Sequence, residues 1–194
     1  MSNYFDKREA LYRRFFAEGL PYQEYLKTGS QSEQDKWRRF EEVISLSPAQ
    51  KNLIASFRRK MPVLVLSGIW CGDCARQGPM LNFIVKSSNC LELRFIENKM
   101  NPELQEELRV CGAERVPVVA ALSEDFYEVA RFGDRHLSVY RKKLALEMGA
   151  SCDPGIVSGP NNDLITETQE WLDFFERAQL LLRLAPALRR KYGD

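Results

Sequence analysis

"SGIWCGDCARQGPM", residues 67–80, is the stretch on which the reading of this chain turns. It holds two cysteines separated by two residues, Cys71 and Cys74, with Trp70 in front and Pro79 behind. Taken alone, Cys-x-x-Cys admits three readings: a redox pair, half of a zinc site, or two neighbouring core cysteines. A structural zinc site needs at least two further ligands, commonly a second close pair. Here Cys90, Cys111 and Cys152 are scattered and His136 is the sole histidine, so no metal is expected. Position then favours redox chemistry. "VLVLSG" (63–68) is a short apolar run bounded by Pro62 and Gly68, which reads as a buried strand. Behind the pair a helical pattern runs to about residue 87, with Met80, Leu81, Ile84 and Val85 facing inward.

A cysteine pair between a strand and a helix has a physical use. Backbone N–H groups at a helix start are unpaired and the dipole there is positive. A thiolate is stabilised in that field, which lowers the pKa of the first cysteine. Thiolate is the attacking form in thiol–disulfide exchange. Cys71 is therefore the expected nucleophile. Cys74, three positions along, is the expected resolving thiol that attacks the mixed disulfide and releases the substrate.

Outward from this segment the pattern splits the chain into three regions. Residues 1–60 read as helical: a helix over 3–18 stopped by Gly19, a helical turn at 21–26, and a helix over 33–46 with Trp37, Phe40, Val43 and Ile44 on one side. A further helix from Pro48 to about 59 opens with a Ser47–Gln50 capping box and proline at its first position. Residues 61–149 alternate strands and helices, with strands at 63–68, 91–96, 116–122 and 126–132, a helix opened by Asn101-Pro102, and a basic helix over 135–148. The alternation predicts parallel early strands, and the short "SED" turn (123–125) makes the last two antiparallel. Residues 150–194 hold a turn-rich connector and a broadly apolar last helix, broken at Pro186. That helix is expected to pack on the core, or else to join a second copy or another protein.

Bulk properties restrict the setting. In 194 residues Lys and Arg number 28 and Asp and Glu 27, a near-neutral balance that gives no sign of nucleic acid or a membrane surface as partner. No apolar run reaches the length of a membrane span, and the opening residues show none ahead of a small-residue cleavage site. The cytoplasm is the expected location. Five cysteines in a reducing compartment do not suggest a disulfide framework.

Several of these items together resemble the thioredoxin family. "WCGDC" (70–74) is similar to its Trp-Cys-Gly-Pro-Cys motif, and Pro79 stands where the family carries a helix-kinking proline. "NP" (101–102), "RVPVV" (115–119) and "FG" (132–133) resemble further family landmarks, and the wider string resembles a bacterial branch of it. The resemblance covers roughly residues 60–148. It implies an α/β thioredoxin-like fold, a central mixed sheet flanked by helices, here with helical N-terminal and C-terminal extensions. It also implies a protein-disulfide oxidoreductase using Cys71 and Cys74, without metal or organic cofactor. The expected partners are protein disulfides or thiols and a reductase electron donor. Trp70 would flank Cys71, and a cis Val116–Pro117 bond would aim the backbone of Val116 at the substrate chain.

Two departures bear on the chemistry. Between the cysteines stand Gly72 and Asp73, and the carboxylate of Asp73 in place of proline should oppose thiolate formation at Cys71. Many thioredoxins also hold a buried aspartate six residues before the first cysteine, where this chain has Val65. Asp73 is then a candidate base for the resolving thiol. Both departures keep an alternative in view: a thioredoxin-fold module for binding or redox sensing, with little turnover.

Overall fold

The computed structural model describes residues 4–148 and 163–193. In chain order it forms α1 (Glu9–Glu18), α2 (Tyr22–Leu26), α3 (Gln31–Glu41), α4 (Pro48–Ala55), β1 (Met61–Ser67), α5 (Gly72–Lys86), β2 (Leu91–Glu97), α6 (Pro102–Glu107), β3 (Val118–Leu122), β4 (Glu128–Gly133), α7 (Leu137–Met148), α8 (Asp163–Leu184) and α9 (Pro186–Tyr192). The strands make one mixed sheet in the order β2-β1-β3-β4, with helices packed around it. β1 is central and nearly all of "MPVLVLS" is buried, which is why it reads as a continuous apolar run and not an alternating one. The connector from Gly149 to about 162, with Cys152, lies outside the described residues.

Parallel pairing stops at β1 and β2, whose register runs Met61↔Leu91 to Ser67↔Glu97 across the α5 crossover. The expectation that the third strand would also be parallel is corrected: β3 is antiparallel to β1, with Leu66 opposite Val118 and Val63 opposite Ala121. α6 is only six residues long and is followed by a tight turn in which Val110 pairs with Ala113. That link delivers the chain to the end of β1 instead of its beginning, so β3 must run back. The reversal matters for function, since it sets the residues before β3 beside the residues after β1.

Other boundaries move for local reasons. α1 starts at Glu9 and not near residue 3, because the Asp6 carboxylate accepts the Arg8 and Glu128 amides and ties residue 6 to β4. α3 starts at Gln31, capped by a reciprocal Ser30–Glu33 box. It ends at Glu41, so Val43 leaves its apolar face and is exposed. α4 has the expected Ser47–Gln50 box. In the β3–β4 turn Phe126 has φ 64°, and the Ser123 hydroxyl accepts the Asp125 and Tyr127 amides, which delays β4 to Glu128.

The N-terminal helices are built into the core. Trp37 is fully buried among Tyr22, Tyr25 and Phe95, with ring centroids 5.7–6.1 Å from its own. Its indole N–H donates to the Ile69 carbonyl at 3.0 Å. Its benzo ring lies on Gly78, where a Cβ would come 2.0 Å from Trp37 Cζ3. Only glycine allows α3 to approach α5 this closely. Leu20 and Phe95 exchange amide–carbonyl bonds of 2.8–2.9 Å, which pairs part of the outer edge of β2. At the other end of the chain, Trp171, Phe174 and Phe175 of α8 form an aromatic cluster with Phe132 of β4.

Candidate functional site

β1 ends at Ser67, the chain turns through Gly68, Ile69 and Trp70, and Cys71 takes the N-cap position of α5 with φ −79° and ψ 130°. Cys71 is half-buried and Cys74 is buried, 1 % exposed. The pair is unbridged. The antiparallel course of β3 brings Val116 to the same place, and the Cys71 thiol donates to the Val116 carbonyl at 3.8 Å. The Val116–Pro117 peptide is cis, and both residues are buried. Trp70 lies beside the pair, 44 % exposed, with Lys99 Nζ 4.5 Å from its ring centroid. Gly72 faces open space: a Cβ there would meet nothing within 4 Å.

The two sulfurs titrate in opposite directions. Cys71 is pulled down to about 7, first by the hydrogen bond from the Cys74 side chain; partial burial opposes this, and the backbone N–H groups of Cys74 and Asp73 add to it. Cys74 is pushed well above the ordinary thiol value by burial, then by its interactions with Cys71, while Ser67 and the Gly68 amide pull the other way. The arrangement sets a half-buried sulfur of lowered pKa above a buried sulfur of raised pKa.

Asp73 acts on Cys71 in two senses. Its charge raises the Cys71 pKa while its amide lowers it, and its carboxylate is held by Arg135 at 2.6 Å. Arg135 also pairs with Asp134 at 3.3 Å, and Asp134 with Arg115 at 3.0 Å. Proline at 73 would remove charge and amide together, so asparagine is the clean probe. Asp73→Asn is expected to lower the Cys71 pKa below its value near 7, read as the midpoint of thiolate absorbance against pH.

Sequence reading did not anticipate the neighbours that come from distant segments. Arg115, Asp134 and Arg135 form the ionic strip beside Asp73. Glu97, at the end of β2, accepts the Ile69 amide at 3.0 Å and the Tyr25 hydroxyl at 2.8 Å. Charged residues in "FGDRH" and at the end of a strand were the available signals. His136 is fully buried, tilted against the Phe132 ring and edge-on to Trp171; burial lowers it to about 4, with the Glu170 carboxylate 3.4 Å away opposing. Cys90 is half-buried and Cys111 is exposed in a turn with φ 52°. Among the described residues no three His, Cys, Asp or Glu side chains group as a metal site, and no helix is long and apolar enough to cross a membrane.

Comparison with known proteins extends beyond the site. No curated protein matches the chain. A protein of unknown function from Pseudomonas aeruginosa is 22% identical, covering 89% of this chain and 95% of its own, with TM-score 0.62. An HIV epitope-scaffold is 23% identical over 90% of this chain and 98% of its own, with TM-score 0.58. Mitochondrial thioredoxin 3 from Saccharomyces cerevisiae is 16% identical over 54% of this chain and 94% of its own, with TM-score 0.34. A family profile described as thioredoxin matches residues 19–141, starting inside the N-terminal helical segment and running past the cysteine pair, the cis-proline segment and β4. With that match spanning well over half of its length, the chain belongs to the thioredoxin family.

Proposed function

We propose that this protein is a thiol–disulfide oxidoreductase that exchanges protein disulfides through Cys71 and Cys74. The observation that carries this reading is the pairing of a half-exposed Cys71 thiol titrating near 7 with a buried, protonated Cys74 next to it. At neutral pH about half of Cys71 is thiolate, the attacking form. It attacks a substrate disulfide, forms a mixed disulfide and expels one substrate thiolate. Cys74 then attacks the Cys71 sulfur, closes the internal disulfide and releases the second substrate thiolate. A reductase or small dithiol resets the pair, in a cytoplasmic setting. No metal or organic cofactor enters these steps.

The surroundings support a peptide-like substrate. Trp70 offers an exposed apolar flank to Cys71. The backbone at Val116, already in contact with the Cys71 sulfur, supplies polar groups for an extended chain. Gly72 leaves the approach open. Exposed Leu180, Leu181 and Leu184 near the end of α8 are the surface through which the terminal helices would join another chain. The test is reduction of insulin by dithiothreitol. The protein is expected to accelerate insulin precipitation, and Cys71→Ser to abolish the acceleration. Wild type no faster than dithiothreitol alone would remove the reading.

A further inference from the structure

Closing the internal disulfide requires Cys74 to lose a proton in a place water does not reach. The thiol is 1 % exposed, and burial holds it in the protonated form. Asp73 is not suited to accept that proton, since its carboxylate is engaged by Arg135 at 2.6 Å. Another route starts at the thiol itself. The Gly68 amide donates to the Cys74 sulfur at 3.4 Å, and the Ser67 side chain acts on both the Cys74 thiol and the Tyr25 hydroxyl. Ser67 is fully buried and its hydroxyl has no hydrogen-bond partner, which leaves its proton and lone pairs uncommitted between these two neighbours. The Tyr25 hydroxyl donates to Glu97 Oε2 at 2.8 Å. Ser67 and Glu97 are register partners on adjacent parallel strands, so their side chains lie on the same face of the sheet. Glu97 is half-buried, which joins this buried row of polar groups to solvent.

We infer that Glu97 is the proton acceptor of the resolving step, reached from Cys74 through Ser67 and Tyr25. Resting on the oxidoreductase reading, the step balances as follows. The Cys74 S–H proton passes to the Ser67 oxygen, the Ser67 proton to the Tyr25 oxygen, and the Tyr25 proton to Glu97 Oε2. The Cys74 sulfur bonds to the Cys71 sulfur as the bond from Cys71 to the substrate sulfur breaks, and the substrate leaves as thiolate. Glu97, now neutral, returns its proton to water or to the departing thiolate. The same carboxylate oxygen holds the Ile69 amide at 3.0 Å, so it also fixes the loop that presents Cys71. The Tyr25 hydroxyl from α2 donates to Glu97, and Tyr25 in turn feels both Glu97 and Cys74 of α5; Lys99 in the following turn is exposed and lies over Trp70. α2 belongs to the N-terminal helical segment, which thereby enters the chemistry.

The experiment loads Cys71 with thionitrobenzoate from 5,5'-dithiobis(2-nitrobenzoate), with Cys90→Ser, Cys111→Ser and Cys152→Ser in every protein. The second thionitrobenzoate released reports attack by Cys74. In that adduct Cys71 has no ionisable thiol, so the pH profile belongs to Cys74 and its acceptor. Wild type is expected to release at a rate nearly flat across neutral pH. Glu97→Gln keeps an oxygen for the Ile69 amide and should slow release about 100-fold at neutral pH. Its rate should climb about tenfold per pH unit, as hydroxide takes over the deprotonation. Tyr25→Phe keeps the ring stacked on Phe95 and leaves the carboxylate in place, yet should give the same slow, pH-dependent release. Glu97→Asp should recover part of the rate. A role limited to charge predicts the opposite sign, because removing a nearby carboxylate would favour the Cys74 thiolate and speed release. Unchanged or faster release in Glu97→Gln, with the wild-type pH profile, overturns the inference, as does failure of Cys71 to form the adduct. Loss of insulin reduction alongside the expected release pattern would instead count against the oxidoreductase reading and leave the proton route standing.

Discussion

At pH 7, iodoacetamide is expected to alkylate Cys71 about 100-fold faster than Cys74, a ratio set first by thiolate fraction. Cys71 titrates near 7, so about half of it is thiolate at that pH. Cys74 is held well above 9, which leaves under about 1% as thiolate, and its burial slows access further. The Cys71 rate should rise about tenfold per pH unit below 7 and level off above it, since deprotonation through a single pKa creates the reactive form. Peptide mapping by mass spectrometry after a timed pulse gives both rates in one sample. Exposed Cys111 serves as the internal standard for an accessible thiol. A Cys71 midpoint near 9, or equal labelling of the two sulfurs, would remove the physical basis of the proposed chemistry.

Gly78→Ala is expected to be among the most damaging single-methyl changes in the protein. The added Cβ would sit 2.0 Å from Trp37 Cζ3 and 2.8 Å from Cη2, and Trp37 is fully enclosed by Tyr22, Tyr25 and Phe95. Neither backbone nor ring can yield without opening the contact between α3 and α5. Overpacking of this kind costs about 3 kcal/mol. For a chain of this size that is a fall of roughly 6–12 °C in Tm, measured by calorimetry or circular dichroism. Trp37→Phe removes the atoms that clash, so the double variant should lose less stability than the two single losses added together. A fully additive double variant would show that the two residues do not meet. The contact also reaches the site, because Trp37 holds the Ile69 carbonyl two residues before Cys71.

These two cases mark what the sequence made legible. The cysteine pair, its strand-to-helix setting and the Pro117 segment could be read because the relevant signals are local: an apolar run, a proline, a helix start. Ser47–Gln50 was legible for the same reason. Position 65 could be read as a missing carboxylate, but the link from Glu97 to Tyr25 could not. Glu97 and Ser67 meet only after β1 and β2 pair in register, and Tyr25 joins them only when α2 packs against Phe95. Arg135 and Asp73 are likewise brought together by tertiary packing. The direction of β3 is not legible, because alternation of strands and helices does not state how long a crossover must be, and α6 is too short to make one. Val43 departs from its expected face because apolar spacing continues past the residue at which the helix stops.

The bond pair between Leu20 and Phe95 has a consequence for how this molecule can be dissected. A fragment starting at residue 61 would keep the cysteines and all four strands, yet free the Phe95 amide and carbonyl in the middle of the outer β2 edge. An open strand edge templates addition of another chain, so the trimmed protein is expected to self-associate into ribbons more readily than the intact one.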